Sequence, residues 1–335
     1  DKMLGALYGA AYGDSFGAIV EYCHHDDIKK HFPNGVKDYT ESISFITKGI
    51  KPGHITDDFG SSCYIMQTIL KHNGHFNRNI AIEAILEWSK DKEVFEKYAG
   101  RTTREAIKNL RKGIVINEIE REKHFIGKDT NGGAMKVSPI ALLAKDDEKK
   151  AIQYTLDLCY PTHYNSSAVS GAAAITVAIC VALKENATIE SIISSAIKGA
   201  HIARLQLDKE GFSSFGPYVE YSIRQAVDLV KKATSLDDVI RILYEEIGTG
   251  MQVNQSIPTV FAIIYATNGN LNDALYCAIH AGGDTDTIAS MVGAILGGFH
   301  DVNVIEKRHI ERIIGVNKEY NIDKLIEEYI DMILE

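Results

Sequence analysis

Two short clusters of hard oxygen donors stand more than 220 residues apart in this 335-residue sequence. The first is Thr56-Asp57-Asp58, within His54-Ile55-Thr56-Asp57-Asp58-Phe59. The second is Asp284-Thr285-Asp286-Thr287, entered through Gly282-Gly283. Each runs into a helical apolar pattern. Each therefore also reads as a helix start, with Thr56 as N-cap and aspartates in a first turn, where the helix dipole favours them. The doubled glycine asks for more than capping, because it permits φ > 0 or a close backbone approach. Four carboxylates brought together would repel, and not all would stay ionised. Divalent cations resolve that conflict. An oxygen-only ligand set points to Mg²⁺, Mn²⁺ or Ca²⁺ and away from zinc or copper. The charge count suits two ions, which lie ~3.5–4 Å apart in hydrolytic sites.

Three weaker signals accompany them. Asn131-Gly132-Gly133-Ala134-Met135-Lys136 could present backbone N–H groups to a phosphate, or be an ordinary loop; the Asp129 charge beside it disfavours an anion. Pro161-Thr162-His163-Tyr164 opens an Ala-rich helix, and a histidine there is either a structural hydrogen-bonder or a site residue, depending on its neighbours. Asp14 lies inside a small-residue helix and Glu21 just beyond it, and carboxylates in such a setting need partners. His24-His25-Asp26-Asp27 reads as a solvated loop. Glu245-Glu246 and the stretch 307–328 read as solvent-facing helix surface. The sequence has no GxSxG, Walker A or GxGxxG pattern.

The elements that must position these residues are helices. Apolar residues recur at three- and four-residue spacing over 80–88, 105–110, 151–158, 189–202, 223–230 and 322–334, while alternating strand patterns are scarce. The expectation is an all-α multi-helix bundle, a single domain over 1–335, with no linker and no repeat. The apolar run 168–183 is too short to span a membrane and reads as a buried helix. Gly5, Gly9, Gly13 and Gly17 fall on one ridge of the first helix. By helix propensity four interior glycines cost roughly 3–4 kcal/mol against alanine, so close backbone packing must offset them. A second small-residue helix, 288–298, carries Ala289, Gly293 and Gly297 on one face.

Composition narrows the function classes. Lys plus Arg number 36 and Asp plus Glu 45, a net charge of −9, which argues against a nucleic-acid-binding surface. Hydrophobic residues at 45% and charged residues at 24% exclude disorder along most of the chain. The five cysteines, Cys23, Cys63, Cys159, Cys180 and Cys277, are scattered without a CxxC, so neither a disulfide framework nor a cysteine zinc site is expected. With no signal-peptide pattern at the start, the reading is a cytoplasmic protein with no membrane partner, a monomer by default.

Taken in order, Gly5-Ala-Leu-Tyr-Gly-Ala-Ala-Tyr-Gly-Asp-Ser-Phe-Gly17, Glu21, Thr56-Asp57-Asp58, Asn131 to Lys136, Thr162-His163 and Gly282-Gly283-Asp284-Thr285-Asp286-Thr287 resemble the ADP-ribosylglycohydrolase family, from residue 5 to about residue 298. The resemblance implies an all-α orthogonal bundle around a central cleft with two Mg²⁺ ions, Mn²⁺ being an alternative. It implies metal ligation by Thr56, Asp57, Asp58, Asp284, Asp286 and Thr287. It places Glu21 at the family's catalytic glutamate, with Asp57, Asp58 and Asp286 as further acid–base candidates. Asn131, Gly132, Gly133, Ala134, Met135 and His163 fall where members bind the diphosphate and ribose of ADP-ribose. The implied activity is hydrolysis of the ribosyl bond in ADP-ribosylated side chains or related conjugates. The alternatives are a hydrolase of small nucleosides and an inactive ADP-ribose binder. Two departures bear on the substrate. Phe59 stands where many relatives have threonine, so an aromatic ring is expected at the pocket, and Thr130 replaces the first glycine of Gly-Asn-Gly.

Overall fold

Three- and four-residue apolar spacing becomes helix throughout. Among the residues that the computed structural model describes, 1–115 and 128–335, there is no strand, and an isolated bridge pairs Thr130 with Gln252. Seventeen α-helices are described. They are α1 (Lys2–Gly17), α2 (His25–His31), α3 (Asp57–Lys71), α4 (Arg78–Trp88), α5 (Lys92–Tyr98), α6 (Arg101–Leu110), α7 (Ser138–Ala144), α8 (Glu148–Cys159), α9 (Ser166–Ala182), α10 (Ile189–Glu210), α11 (Val219–Val230), α12 (Leu236–Ile242), α13 (Val253–Ala266), α14 (Leu271–His280), α15 (Thr285–His300), α16 (Lys307–Val316) and α17 (Ile322–Leu334). Each of the six periodic stretches lies inside one of them.

The apolar run near residue 170 is a central buried helix. Every residue of α9 except Ser167 is buried. Its small side chains let α10 approach closely, so that a Cβ on Gly199 would sit 2.8 Å from Val177 Cγ2. No described helix is long and apolar enough to cross a membrane.

The two glycine ridges pack on each other. A Cβ on Gly5 would lie 2.1 Å from Gly297 O, one on Gly9 2.1 Å from Gly293 O, and one on Gly13 1.9 Å from Ala289 O. On Gly17 it would meet Thr285 O at 2.4 Å. The paired numbers rise on one helix as they fall on the other, so α1 and α15 run antiparallel with backbones in contact. No side chain fits between them, and that contact offsets the propensity cost of the glycines. It also carries the end of α1 to the start of α15, where the second acidic cluster begins.

The segment at 24–27 is largely exposed, as read, but it starts a helix where a loop is expected. His24 caps α2, its Nδ1 accepting from Asp26 N at 3.3 Å. Asp26 and Asp27 occupy the first turn, where the dipole favours them, and Ile28 anchors the helix in the core. An imidazole did the capping work that the sequence pattern expects of Asn, Asp, Ser or Thr.

Candidate functional site

The backbone around residues 20–23 is laced to the Gly282-Gly283 turn. Tyr22 N donates to Gly283 O at 2.7 Å, Gly283 N to Cys23 O at 3.2 Å, and Asp284 N to Thr249 O at 2.8 Å. Both glycines have positive φ, +74° and +79°, and a Cβ on either would come within 2.5 Å of a carbonyl oxygen. Only glycine fits there. Thr285 Oγ1 donates to Gly17 O at 2.8 Å and closes the seam. As a result, one carboxylate oxygen from each of Glu21, Asp284 and Asp286 lies within 4.8 Å of the others.

The first acidic cluster arrives on α3. Thr56 is its N-cap, with Asp57 and Asp58 in the first turn. Asp14 fixes this helix end from below. Its carboxylate accepts from Thr56 N at 3.0 Å to each oxygen, from Thr56 Oγ1 at 2.7 Å and from Phe59 N at 2.9 Å. Thr56 Oγ1 lies 3.3 Å from Asp286 Oδ2, so the two distant clusters meet. Around them, Asn131 Nδ2 donates to Asp284 Oδ2 at 2.6 Å, Thr287 Oγ1 to Asp284 Oδ1 at 3.2 Å and Thr287 N to Asp286 Oδ1 at 2.9 Å.

These residues floor a cleft of about 540 Å³. Glu21, Asp57, Asp58, Asn131, Gly132, Met135, His163, Asp284, Asp286 and Thr287 line it. Thr56 is buried beneath the floor, and neither Gly133 nor Ala134 reaches the lining; Ala134 belongs to the apolar core. Gly132 and Gly133 have packing reasons of their own. A Cβ on Gly132 would strike the His163 ring at 2.8 Å, and one on Gly133 the Cys159 sulfur at 2.9 Å. His163 Nδ1 sits 2.8 Å from Thr162 Oγ1. Burial, and then Lys136 and Lys128, push its pKa down to about 3, so the ring is neutral at physiological pH.

Phe59 is the clear correction. The expectation of an aromatic ring at the pocket fails, because Phe59 is fully buried in the core and its contribution to the site is its backbone N–H. On α3 the residue after Asp58 turns away from the cleft, toward the apolar interior. Sequence reasoning also missed part of the wall, where Tyr22, Ile46, Lys97, Tyr98, Arg101, Met251 and Gln252 line the cleft. They sit on two short helices and connecting segments, and no spacing pattern marks them.

The acids raise one another. Burial, then Asp284 and Asp57, lift Glu21 to about 8; burial and Asp14 lift Asp57 to about 7. Burial is also the main cause that pushes Asp58 and Asp286 well above the usual carboxylate range, with neighbouring carboxylates adding to it. Asp58 Oδ1 and Glu21 Oε2 are buried without a hydrogen-bond partner. Buried, unpartnered, mutually repelling oxygens are the donor set a hard divalent cation satisfies. Among the described residues, the buried oxygens close enough together to hold such an ion are those of Glu21, Asp284 and Asp286.

Comparison with known proteins follows the same lines. A family model described as ADP-ribosylglycohydrolase matches residues 1–334. The uncharacterized protein YegU of Escherichia coli (strain K12) is 28% identical over 326 residues, covering 95% of this chain and 93% of its own. The ADP-ribosylhydrolase ARH3 of Xenopus tropicalis is 27% identical, covering 89% of this chain and 87% of its own. Human ADP-ribosylhydrolase ARH3 is 25% identical over 91% of this chain and 86% of its own. A solved structure titled ADP-ribosylglycohydrolase-related protein complex shares the fold, with TM-score 0.63 and 18% identity over 99% of this chain and 98% of its own.

Proposed function

The chain belongs to the ADP-ribosylglycohydrolase family, and from that premise we propose that its cleft hydrolyses, in a Mg²⁺-dependent way, the ribosyl bond of ADP-ribosylated side chains or related ADP-ribose conjugates. It is a glycosidase by family; the metal, the substrate and the residue roles are our reading. The observation that carries it is the meeting of two acidic clusters, 230 residues apart at Thr56 and Asp286, on the floor of one cleft.

Two Mg²⁺ ions, or Mn²⁺, on Thr56, Asp57, Asp58, Asp284, Asp286 and Thr287 would bring Lewis-acid polarisation of ribose hydroxyls and a more acidic water. The protein's own part begins with placement. Asn131, Gly132, Met135 and neutral His163 line the cleft and would hold the diphosphate and ribose, fixing the anomeric carbon above the acids. Bond cleavage there passes through an oxocarbenium-like state that buried negative charge stabilises. Water adds to the anomeric carbon as the bond to the acceptor breaks. One proton leaves that water for a carboxylate, and one reaches the departing atom. Glu21 and Asp58 each keep an unpartnered oxygen, so they are the groups free to handle these protons.

The small-nucleoside alternative loses its support from Phe59, which takes no part in the cleft. The test is turnover of ADP-ribosyl-arginine and ADP-ribosyl-serine peptides beside simple nucleosides. EDTA, and separately Asp286→Ala, should lower kcat/KM by about a hundredfold or more, the scale of a lost positioning contact. Unchanged turnover in both would end the reading.

A further inference from the structure

The wall that sequence reasoning missed carries the opposite charge to the floor. The acidic floor is buried, with Asp58, Asp284 and Asp286 only 2–4% exposed. Lys97 and Arg101 line the same cleft but are exposed, so they stand at its mouth. They lie four residues apart, at the end of α5 and the start of α6, across the break at Ala99-Gly100. Among the described residues neither takes part in a salt bridge; Lys97 holds its ammonium over the Tyr98 ring, 5.2 Å from the centroid, and its charge reaches Glu21. Two cations with no salt-bridge partner among the described residues, at the mouth of an acidic cleft in a chain of net charge −9, are an unusual allocation. The mouth is also apolar in places. Ile46 lines the cleft and is part-exposed, while Met251 lines the cleft and is 41% exposed.

Resting on the function proposed above, we infer that the acceptor side of the substrate is an acidic peptide, whose carboxylates near the modified residue are read by Lys97 and Arg101. A peptide supplies what this rim complements: negative charge for the two cations and side chains to cover Ile46 and Met251. A small leaving group would leave both apolar side chains uncovered. An arginine acceptor would bring a guanidinium past two cations, which costs binding, whereas carboxylates flanking a neutral linkage are drawn in.

The test compares two peptides ADP-ribosylated on the same serine, one flanked by glutamates and one by glutamines, with Mg²⁺ present. For the wild type, kcat/KM should favour the acidic peptide by about tenfold at low salt, two rim pairs' worth, and the preference should shrink as salt rises. Lys97→Gln with Arg101→Gln should abolish the preference, and Lys97→Glu with Arg101→Glu should invert it. Both side chains are exposed, so these variants fold. The ratio between peptides cancels any change in chemistry that reaches Glu21 through Lys97. Affinity for free ADP-ribose, by calorimetry, should be unchanged. A preference absent in the wild type, or retained in the variants, overturns the assignment. So does an equal loss of ADP-ribose affinity, which would put the two cations on the diphosphate instead. Wild-type protein that neither binds ADP-ribose nor cleaves either peptide overturns the functional reading itself, whereas ADP-ribose binding without a flank preference overturns only the rim.

Discussion

At the scale of the residue, Asp14 shows how one buried carboxylate organises a site it does not line. It has no exposed surface, and its two oxygens accept from the backbone of Thr56 and Phe59 and from the Thr56 hydroxyl. These donors belong to the exposed-dipole end of α3, so Asp14 acts as a second cap reaching in from α1. Burial still lifts its pKa to about 6, less than it would without those hydrogen bonds. Replacing Asp14 by Asn keeps the shape but turns an amide NH₂ toward buried N–H donors. The expected cost is about 1–3 kcal/mol, the price of an unsatisfied buried group. Denaturant unfolding in excess Mg²⁺ measures it. Mg²⁺ affinity, by calorimetry, should fall with it, because Thr56, Asp57 and Asp58 ride on the helix end that Asp14 holds. A variant as stable as wild type would show that α3 is held by its apolar face alone.

Helices set the next scale, and the contact between α1 and α15 is the one that sets the site. Gly13→Ala should be among the most damaging small substitutions in the chain, since its Cβ would lie 1.9 Å from Ala289 O with backbone on both sides. The helices must separate, at a cost of about 1–3 kcal/mol or more. Activity should fall further than stability, because Asp286 and Glu21 hang on opposite sides of that seam. Gly315→Ala is the control. It lies near the end of α16 with open space around it, and should be neutral or stabilise by up to about 1 kcal/mol. Thermal melts and turnover of the two variants, side by side, check both. This seam was legible in the sequence, because four glycines on one ridge admit few explanations and the second ridge at 289–297 supplies the partner. The paired acidic clusters were legible for a similar reason, since doubled glycine and doubled carboxylates are both costly without a purpose. Phe59 was not, because a residue's side of a helix is fixed by what it packs on, and a family comparison speaks only of the position. The Lys97–Arg101 wall was hidden too. Short amphipathic helices such as α5 and α6 are positioned by tertiary contacts alone, and the His24 cap of α2 was missed because imidazole seldom serves as one.

Seen whole, the molecule ties its first helix to one near the other end of the chain and sets a crowd of carboxylates at the join. That choice has a thermodynamic signature. Glu21 near 8, Asp57 near 7 and Asp14 near 6 all sit above the ordinary carboxylate value of about 4 that they regain on unfolding. Their pKa values are raised in the folded state, so their contribution to stability is fully present below about pH 4. It is lost progressively as pH rises through 6, 7 and 8, because the unfolded chain releases its protons first. In EDTA the melting temperature should therefore fall between pH 5 and pH 8. Mg²⁺ binds the deprotonated cluster and must displace those protons, so its stabilisation should grow over the same interval. At a hundredfold excess over Kd the gain is about 2.7 kcal/mol, several degrees in a protein of this size. Scanning calorimetry at stepped pH, with EDTA and with excess MgCl₂, should give two curves that nearly coincide at pH 5 and diverge by pH 8. Curves separated by a constant interval, or not separated at all, would mean that cations bind somewhere other than among these carboxylates, since only sites that trade protons for metal give a gap that widens with pH.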